Sequence, residues 1–305
     1  MKVDGININT YGLYLLRDSL GDVICYPKRK AININDWAES DGIEPDLTVS
    51  EFEAKTVNLK FGIKTSDEGS FWESYNRVMA VLSAPGYRQM DFDLGVIFPY
   101  RFSVQGSYTI PIPETPTASI FAMSFIEDHP EQQIGKETIP TGGRDRNDGF
   151  YLNGISFGEF GMWMESGTND LLKYPSVKTP FTDGKNVDLT TVCTKHKEVT
   201  LKLTLIAHSP AMLWQNHAAL FHQLADPGMQ TLTAYNIDIP FFYTDCSAAT
   251  IEEWTDNRIV VTMSIRITIP IVSWVDAGGN TQMAVLVDDD YGMLTDEDGT
   301  ILILA

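Results

Sequence analysis

Residues 71–90 read FWESYNRVMAVLSAPGYRQM, and residues 213–232 read LWQNHAALFHQLADPGMQTL. Both stretches carry one pattern. Phe71, Trp72, Tyr75, Val78, Met79 and Leu82 form a single apolar stripe on a 3.6-residue period. Leu213, Trp214, His217, Leu220, Phe221 and Leu224 repeat that stripe. Ser70 with Glu73 makes a capping-box start for the first helix, and Ser209-Pro210 opens the second. Pro85-Gly86 and Pro227-Gly228 stop them. Trp214 follows Trp72, and Pro227 follows Pro85, at the same interval of 142 positions. The spacing predicts helices over 71–84 and 211–225. Trp72 and Trp214 are then expected as equivalent buried residues, and Trp72, Trp214, Pro85, Gly86, Pro227 and Gly228 together as the structural core of the two copies.

The repetition continues outward from the helices. Asp41-Gly42 matches Asp183-Gly184, and Asp46-Leu47-Thr48 matches Asp188-Leu189-Thr190. Val57, Leu59 and Lys60 match Val199, Leu201 and Lys202. Further back the interval drifts, as it does where loops differ in length. Val3-Asp4-Gly5-Ile6 echoes Leu152-Asn153-Gly154-Ile155, Tyr11-Gly12 echoes Phe160-Gly161, and Tyr26-Pro27 echoes Tyr174-Pro175. Downstream, Met123-Ser124 is set against Met263-Ser264. Seven echoes in one order identify a domain written twice. The expected organisation is a first domain over 1–130, a polar Gly-containing linker over 131–149, a second copy over 150–275, and an acidic hairpin tail over 276–305.

Residues 52–63, FEAKTVNLKFGI, alternate with Val57, Leu59 and Phe61 on one side, which is the period of a half-buried strand. Further strands are expected over 3–16, 87–94, 96–104 and 118–126, and in the second copy over 151–165, 198–207, 231–244 and 257–275. One helix among antiparallel strands, with no βαβ repetition, defines an α+β, mainly β class. Each copy should be a split β-barrel or β-sandwich carrying one amphipathic helix. The segments 21–40 and 105–117 have no evident counterpart in the second copy. The tail over 284–304 has none in the first, so its apolar strands are expected to pair with a partner.

The 305 residues contain 41 Asp and Glu against 22 Lys and Arg, a net charge of −19. Such a surface opposes gripping nucleic acid through phosphates and suits a soluble protein or a passage that a polyanion traverses without sticking. Three cysteines, Cys25, Cys193 and Cys246, lack ligand spacing and point to reduced thiols in a cytosolic assembly environment. No signal-peptide pattern or membrane-length apolar run is present in the sequence.

Chemistry-bearing motifs are missing. There is no H-E-x-x-H, C-x-x-C, G-x-S-x-G, P-loop or G-x-G-x-x-G. His217 and His222 stand at i, i+5 and diverge by about 140° on a helix, so they cannot share a metal. Tyr75 occupies the place of His217 in the first copy, which marks a packing position. Asp41 and Asp183, like Asp46 and Asp188, sit at turn-like sites where Asp serves backbone geometry. The reading assigns no catalytic, cofactor-binding or metal-ligating residue and no enzymatic activity. Trp37, in the polar context NDWAES, is a candidate interface anchor.

The order V-D-G-I-N…Y-G over 3–12, the Asp41-Gly42 turn and the alternating strand over 55–61 resemble the N-terminal domain of phage distal tail proteins. The resemblance covers each repeat. It implies a β-barrel or split sandwich with one helix, assembling as a ring on the tail axis between tube and tip. Where that family carries one such domain and then a galectin-like or carbohydrate-binding part, this chain carries a second copy. The partners implied are copies of itself, as six chains or as three with pseudo-six-fold symmetry, and other tail proteins. DNA would only pass through. The location implied is the virion tail, made in the bacterial host cytoplasm. A tandem β-domain carbohydrate-binding or adhesion module is the alternative from another class.

Overall fold

The computed structural model describes residues 1–16, 19–38, 40–111, 115–134, 140, 149–178, 181–182, 186–187, 193–271, 274–276 and 281–282. In the first repeat the strands are β1 (Lys2–Val3), β2 (Ile6–Asn7), β3 (Leu13–Leu15), β4 (Ile34–Asn35), β5 (Glu44–Pro45), β6 (Lys55–Lys64), β7 (Tyr87–Asp91), β8 (Ile97–Thr109) and β9 (Ala118–Glu127). Its helices are α1 (Leu20–Ile24) and α2 (Glu68–Leu82), and a third, α3 (Glu131–Ile134), opens the linker. The second repeat contains β10 (Tyr151–Leu152), β11 (Ile155–Ser156), β12 (Met162–Ser166), α4 (Thr168–Leu172), β13 (Phe181–Thr182) and β14 (Asn186–Val187). It continues with β15 (Lys197–Ala207), α5 (Pro210–Ala225), β16 (Gln230–Ala234), β17 (Ile237–Trp254) and β18 (Ile259–Ile269).

Two large antiparallel sheets result, and they have one topology. The first runs β2-β1-β7-β8-β9-β6-β3 and the second β11-β10-β16-β17-β18-β15-β12, strand for strand equivalent. The protein is therefore mainly β within the α+β class, as the sequence predicts. The alternation in β6 has its expected consequence: Val57, Leu59, Phe61 and Ile63 are buried, as are Val199, Leu201, Leu203 and Leu205 of β15.

Local backbone geometry repeats as well. The expected first strand over 3–16 is instead a hairpin, a 3-10 turn (Ile8–Tyr11) and a short strand. Two adjacent positive-φ residues, Asp4 (50°) and Gly5 (81°), close the two-residue loop, and the second copy has Asn153 (50°) and Gly154 (81°). Asp4 Oδ1 accepts from the Gln89 amide at 2.9 Å, and Asn153 Oδ1 accepts from the Thr231 amide at 2.9 Å. Asp and Asn thus play one part, pinning the hairpin to the strand that follows the helix.

Three sequence expectations need correction. Helix α2 begins at Glu68, because its N-cap is Asp67, three residues before Ser70, and the Asp67 side chain accepts from the Ser70 amide at 2.9 Å. The segment 21–40 does have a counterpart: α1 corresponds to α4, and the pair β4–β5 to the pair β13–β14. Met123 is not the equivalent of Met263. Met123 stands opposite Leu59, whereas Met263 stands opposite Leu203, and the partner of Leu201 is Ile265. The interval of 142 therefore holds through the last strand, and the Met-Ser echo is a coincidence one step along the same face.

The expected strand over 257–275 divides into β18 and a short β19 (Trp274–Asp276), which pairs with β17 and with β20 (Thr281–Gln282). Most of the linker, the Asp183-Gly184 and Asp188-Leu189-Thr190 echoes, and the acidic tail over 283–305 lie outside the described residues. One apolar cluster runs from Val3 to Ile269 through both repeats, with a satellite of Ile43, Leu47 and Phe242. The two repeats share a core.

Candidate assembly interface

The core is shared because helix α5 is enclosed while its twin α2 is not. Nine side chains of α5 are buried, against three of α2. A helix with so many buried side chains needs neighbours beyond one face, and for α5 the first repeat supplies several of them in addition to β15 and β17 of its own sheet. The Tyr26 ring lies 4.3 Å from His217 and 4.8 Å from Phe221, and its hydroxyl donates to the His217 carbonyl at 2.8 Å. Phe98 meets Trp214 edge-on at 5.1 Å. The segment after Tyr26 continues along β17: the Tyr243 hydroxyl donates to the Pro27 carbonyl at 2.8 Å, and the Arg29 amide to the Thr244 carbonyl at 2.8 Å. Helix α1 lies so close to β17 that a Cβ on Gly21 would stand 2.4 Å from the Ala249 carbonyl oxygen.

A second strap crosses from the loop that includes Trp37. Lys178 is buried, and its Nζ reaches Asp36 Oδ1 at 2.6 Å and the carbonyls of Trp37, Ser40 and Gly42 at 2.8, 2.9 and 2.6 Å. Asp41 Oδ1 accepts from the Thr194 amide at 2.6 Å and its hydroxyl at 2.9 Å. Asp41 thus binds the other repeat rather than merely shaping its own turn. Gly42, at φ 65°, is required there, since a Cβ would fall 1.8 Å from the Pro270 carbonyl oxygen.

The expected site residues divide accordingly. Trp214 is 8% exposed and Trp72 is 39% exposed, so they are not equivalent core residues. The aromatic neighbours of Trp72 among the described residues are on its own helix, Phe71 edge-on at 5.1 Å and Tyr75 edge-on at 6.0 Å. Pro85, Gly86 and Pro227 are exposed, and Gly228 is half-buried. They are turn residues rather than core, with Gly86 and Gly228 both at φ 88°. The Gly228 amide donates to the Leu47 carbonyl at 2.9 Å, a further strap from the first repeat. Trp37 is 58% exposed, its indole outward while its carbonyl is held by Lys178.

Sequence reasoning missed a shared pair of lysines. Lys55 Nζ donates to the Val23 carbonyl at 2.7 Å at the end of α1, and Lys197 Nζ donates to the Leu171 carbonyl at 3.0 Å and to the Lys173 carbonyl at the end of α4. Burial lowers the pKa of both, that of Lys197 to about 8. Because both copies use the lysine as a cap for helix carbonyls, its low basicity reflects structure and not a nucleophile. The signal was present in sequence, an identical Lys at the interval of 142.

All three cysteines are free, and the Cys25 thiol donates to the Cys246 carbonyl at 2.8 Å. Among the described residues no group of three or more His, Cys, Asp or Glu is placed to hold a metal, and no helix is long and apolar enough to cross a membrane. A pocket beside Lys30, Asn33, Asp46 and Glu51 encloses about 170 Å³, less than the roughly 300–1,000 Å³ of drug-sized ligand sites.

His217 is the one titratable side chain of α5 wholly enclosed by the junction. Its Nε2 carries the proton, donating to the Ile24 carbonyl at 2.5 Å. Burial takes its pKa from 6.5 to about 3, although the bond to Ile24 opposes the fall. The unfolded chain therefore binds this proton below about 6.5 and the folded chain only near 3. The stability tied to neutral His217 is full above pH 6.5 and is lost as pH falls towards 3, by on the order of 5 kcal/mol in all. Urea midpoints of the wild type and His217→Gln across that window should diverge, the variant being the flatter. Parallel curves would contradict the assignment.

No family model and no curated protein matches this chain.

Proposed function

We propose that this protein is a structural component of a tailed-phage or prophage tail tip or baseplate, forming a ring around the tail axis that connects tube to tip. The observation that carries the reading is the unequal burial of the twin helices: a contact satisfied once inside the chain is left open at the equivalent place. Head-to-tail contacts of this kind close into rings when the rotation allows. The resemblance to distal tail proteins supports the same architecture, on the hairpin over 3–12, the Asp41-Gly42 turn and the strand that includes Val57 and Leu59. Three chains would provide six repeats, and six chains would provide twelve. The charge of −19 fits a channel wall that DNA passes without adhering. Native mass spectrometry and negative-stain microscopy of the full chain test the reading. The expected result is one closed oligomer with an axial opening; a monomer at every concentration would overturn it.

A further inference from the structure

We propose that the segment around Tyr174 of one copy docks on helix α2 and strand β8 of the next copy, reproducing between chains the junction that exists within the chain. The proposal rests on the ring reading and specifies its seam.

The correspondence follows from backbone registers. The Lys30 amide donates to the Glu51 carbonyl at 2.9 Å and the Lys178 amide to the Cys193 carbonyl at 2.7 Å, which aligns residues 26–30 with 174–178. Tyr26 is 3% exposed because it sits on α5, whereas Tyr174 is 49% exposed. Val177, in the place of buried Arg29, is exposed too. The surface that Tyr26 covers has an open twin in the first repeat. Trp72, Tyr75 and Met79 stand where α5 has Trp214, His217 and Phe221. Along β8, Tyr108 pairs with Phe121 as Ala249 pairs with Met263, so exposed Tyr108 marks the place against which α1 lies in the second repeat.

One repeat therefore presents an unused knob and the other an unused socket of matching type. A second copy of this chain is the occupant that carries the knob. Charge agrees with the pairing. Exposed Lys173 precedes Tyr174, and exposed Lys195 bonds through its amide to the Ser176 carbonyl at 2.7 Å; on α2, exposed Glu68 lies one turn before Trp72, while Glu73 is already paired with Arg77 at 2.8 Å. Tyr174 meeting the α2 backbone would repeat the hydroxyl-to-carbonyl bond that Tyr26 makes to His217.

Because the seam joins unlike surfaces, it can be broken from either side and rebuilt from both. Trp72→Asp removes the socket and Tyr174→Asp the knob; both residues are exposed, so each variant should keep the wild-type circular dichroism. Native mass spectrometry is expected to find a closed oligomer for the wild type and monomers for either variant. An equimolar mixture should give a dimer containing one chain of each, since one intact knob meets one intact socket and the other seam is dead. Val177→Glu serves as a second knob variant should Tyr174→Asp fail to fold. If each variant keeps the wild-type oligomer, or the mixture stays monomeric, the seam is wrong while the ring reading stands. Open filaments that both variants dissolve would keep the seam and remove the ring. A monomeric wild type removes both, and capture of a different tail protein on α2 in place of a second copy overturns the seam.

Discussion

Trp214→Ala is expected to destabilise the isolated chain by about 3–5 kcal/mol, the usual cost of emptying a large buried aromatic site. The same change at Trp72 is expected to cost less than about 1 kcal/mol, since an exposed side chain loses little burial. The two residues stand at one place in one repeated helix, so intrinsic helix propensity cancels from the comparison. What differs is the partner. Phe98 closes over Trp214 from the first repeat, and His217 stacks on it at 4.9 Å. Removing the indole would leave a cavity between Phe98 and His217 in the shared core, which is close-packed and relaxes only in part. Urea midpoints at one protein concentration, low enough to keep the chain monomeric, measure both costs. Equal losses would mean that the helices are equally enclosed and that the asymmetry described above is absent.

The second large effect is expected at Lys178. Its three N–H donors serve three of the four acceptors that surround the buried Nζ. Lys178→Met keeps most of the apolar stem but strands those acceptors and removes the tie to Asp36. A loss on the order of 2–4 kcal/mol follows from unpaired buried groups and a broken charge-assisted bond. The control is built into the repeat. Lys30 holds the same position in the first copy, exposed and bonded to Glu51 at 3.0 Å, and a surface pair of that kind contributes about 0–1 kcal/mol. Lys30→Met should therefore be nearly silent. Hydrogen exchange adds a local readout, because residues 36–42 should open in Lys178→Met and not in Lys30→Met. Unchanged protection there would show that the strap does not depend on the lysine.

The inequality between Trp72 and Trp214 and that between Lys30 and Lys178 have one origin. Each pair occupies one place in the repeat, and each differs only in whether the other repeat covers it. The hairpin and loop over 31–47 explain how the cover is applied. They reach out of the first sheet to place Ile43 and Leu47 on Phe242, to bond Asp41 to Thr194, and to lay Gly42 against Pro270. The equivalent loop of the second repeat includes Asp183-Gly184, which lies outside the described residues.

The sequence by itself determined what depends on near neighbours and period. The duplication, the positions of α2 and α5, and the alternation of β6 and β15 were all legible there, whereas the Asp4-Gly5 and Asn153-Gly154 hairpins stood inside stretches expected as single strands. They arise from caps, φ restrictions and side-chain direction, which act over a few residues and so are written identically in each copy. The exceptions had local causes, as when Asp67 outcompeted Ser70 for the first free amides of α2. Only the tertiary structure decided that the two copies merge into one core, that α5 is enclosed and α2 open, and that Trp72 and Tyr174 remain uncovered. A stripe of apolar residues specifies that a face will be covered without specifying by what. The cover for α5 comes from Tyr26 and Phe98, more than a hundred positions earlier in the chain. Two copies with the same stripe cannot reveal, from pattern alone, which of them finds its partner within the chain.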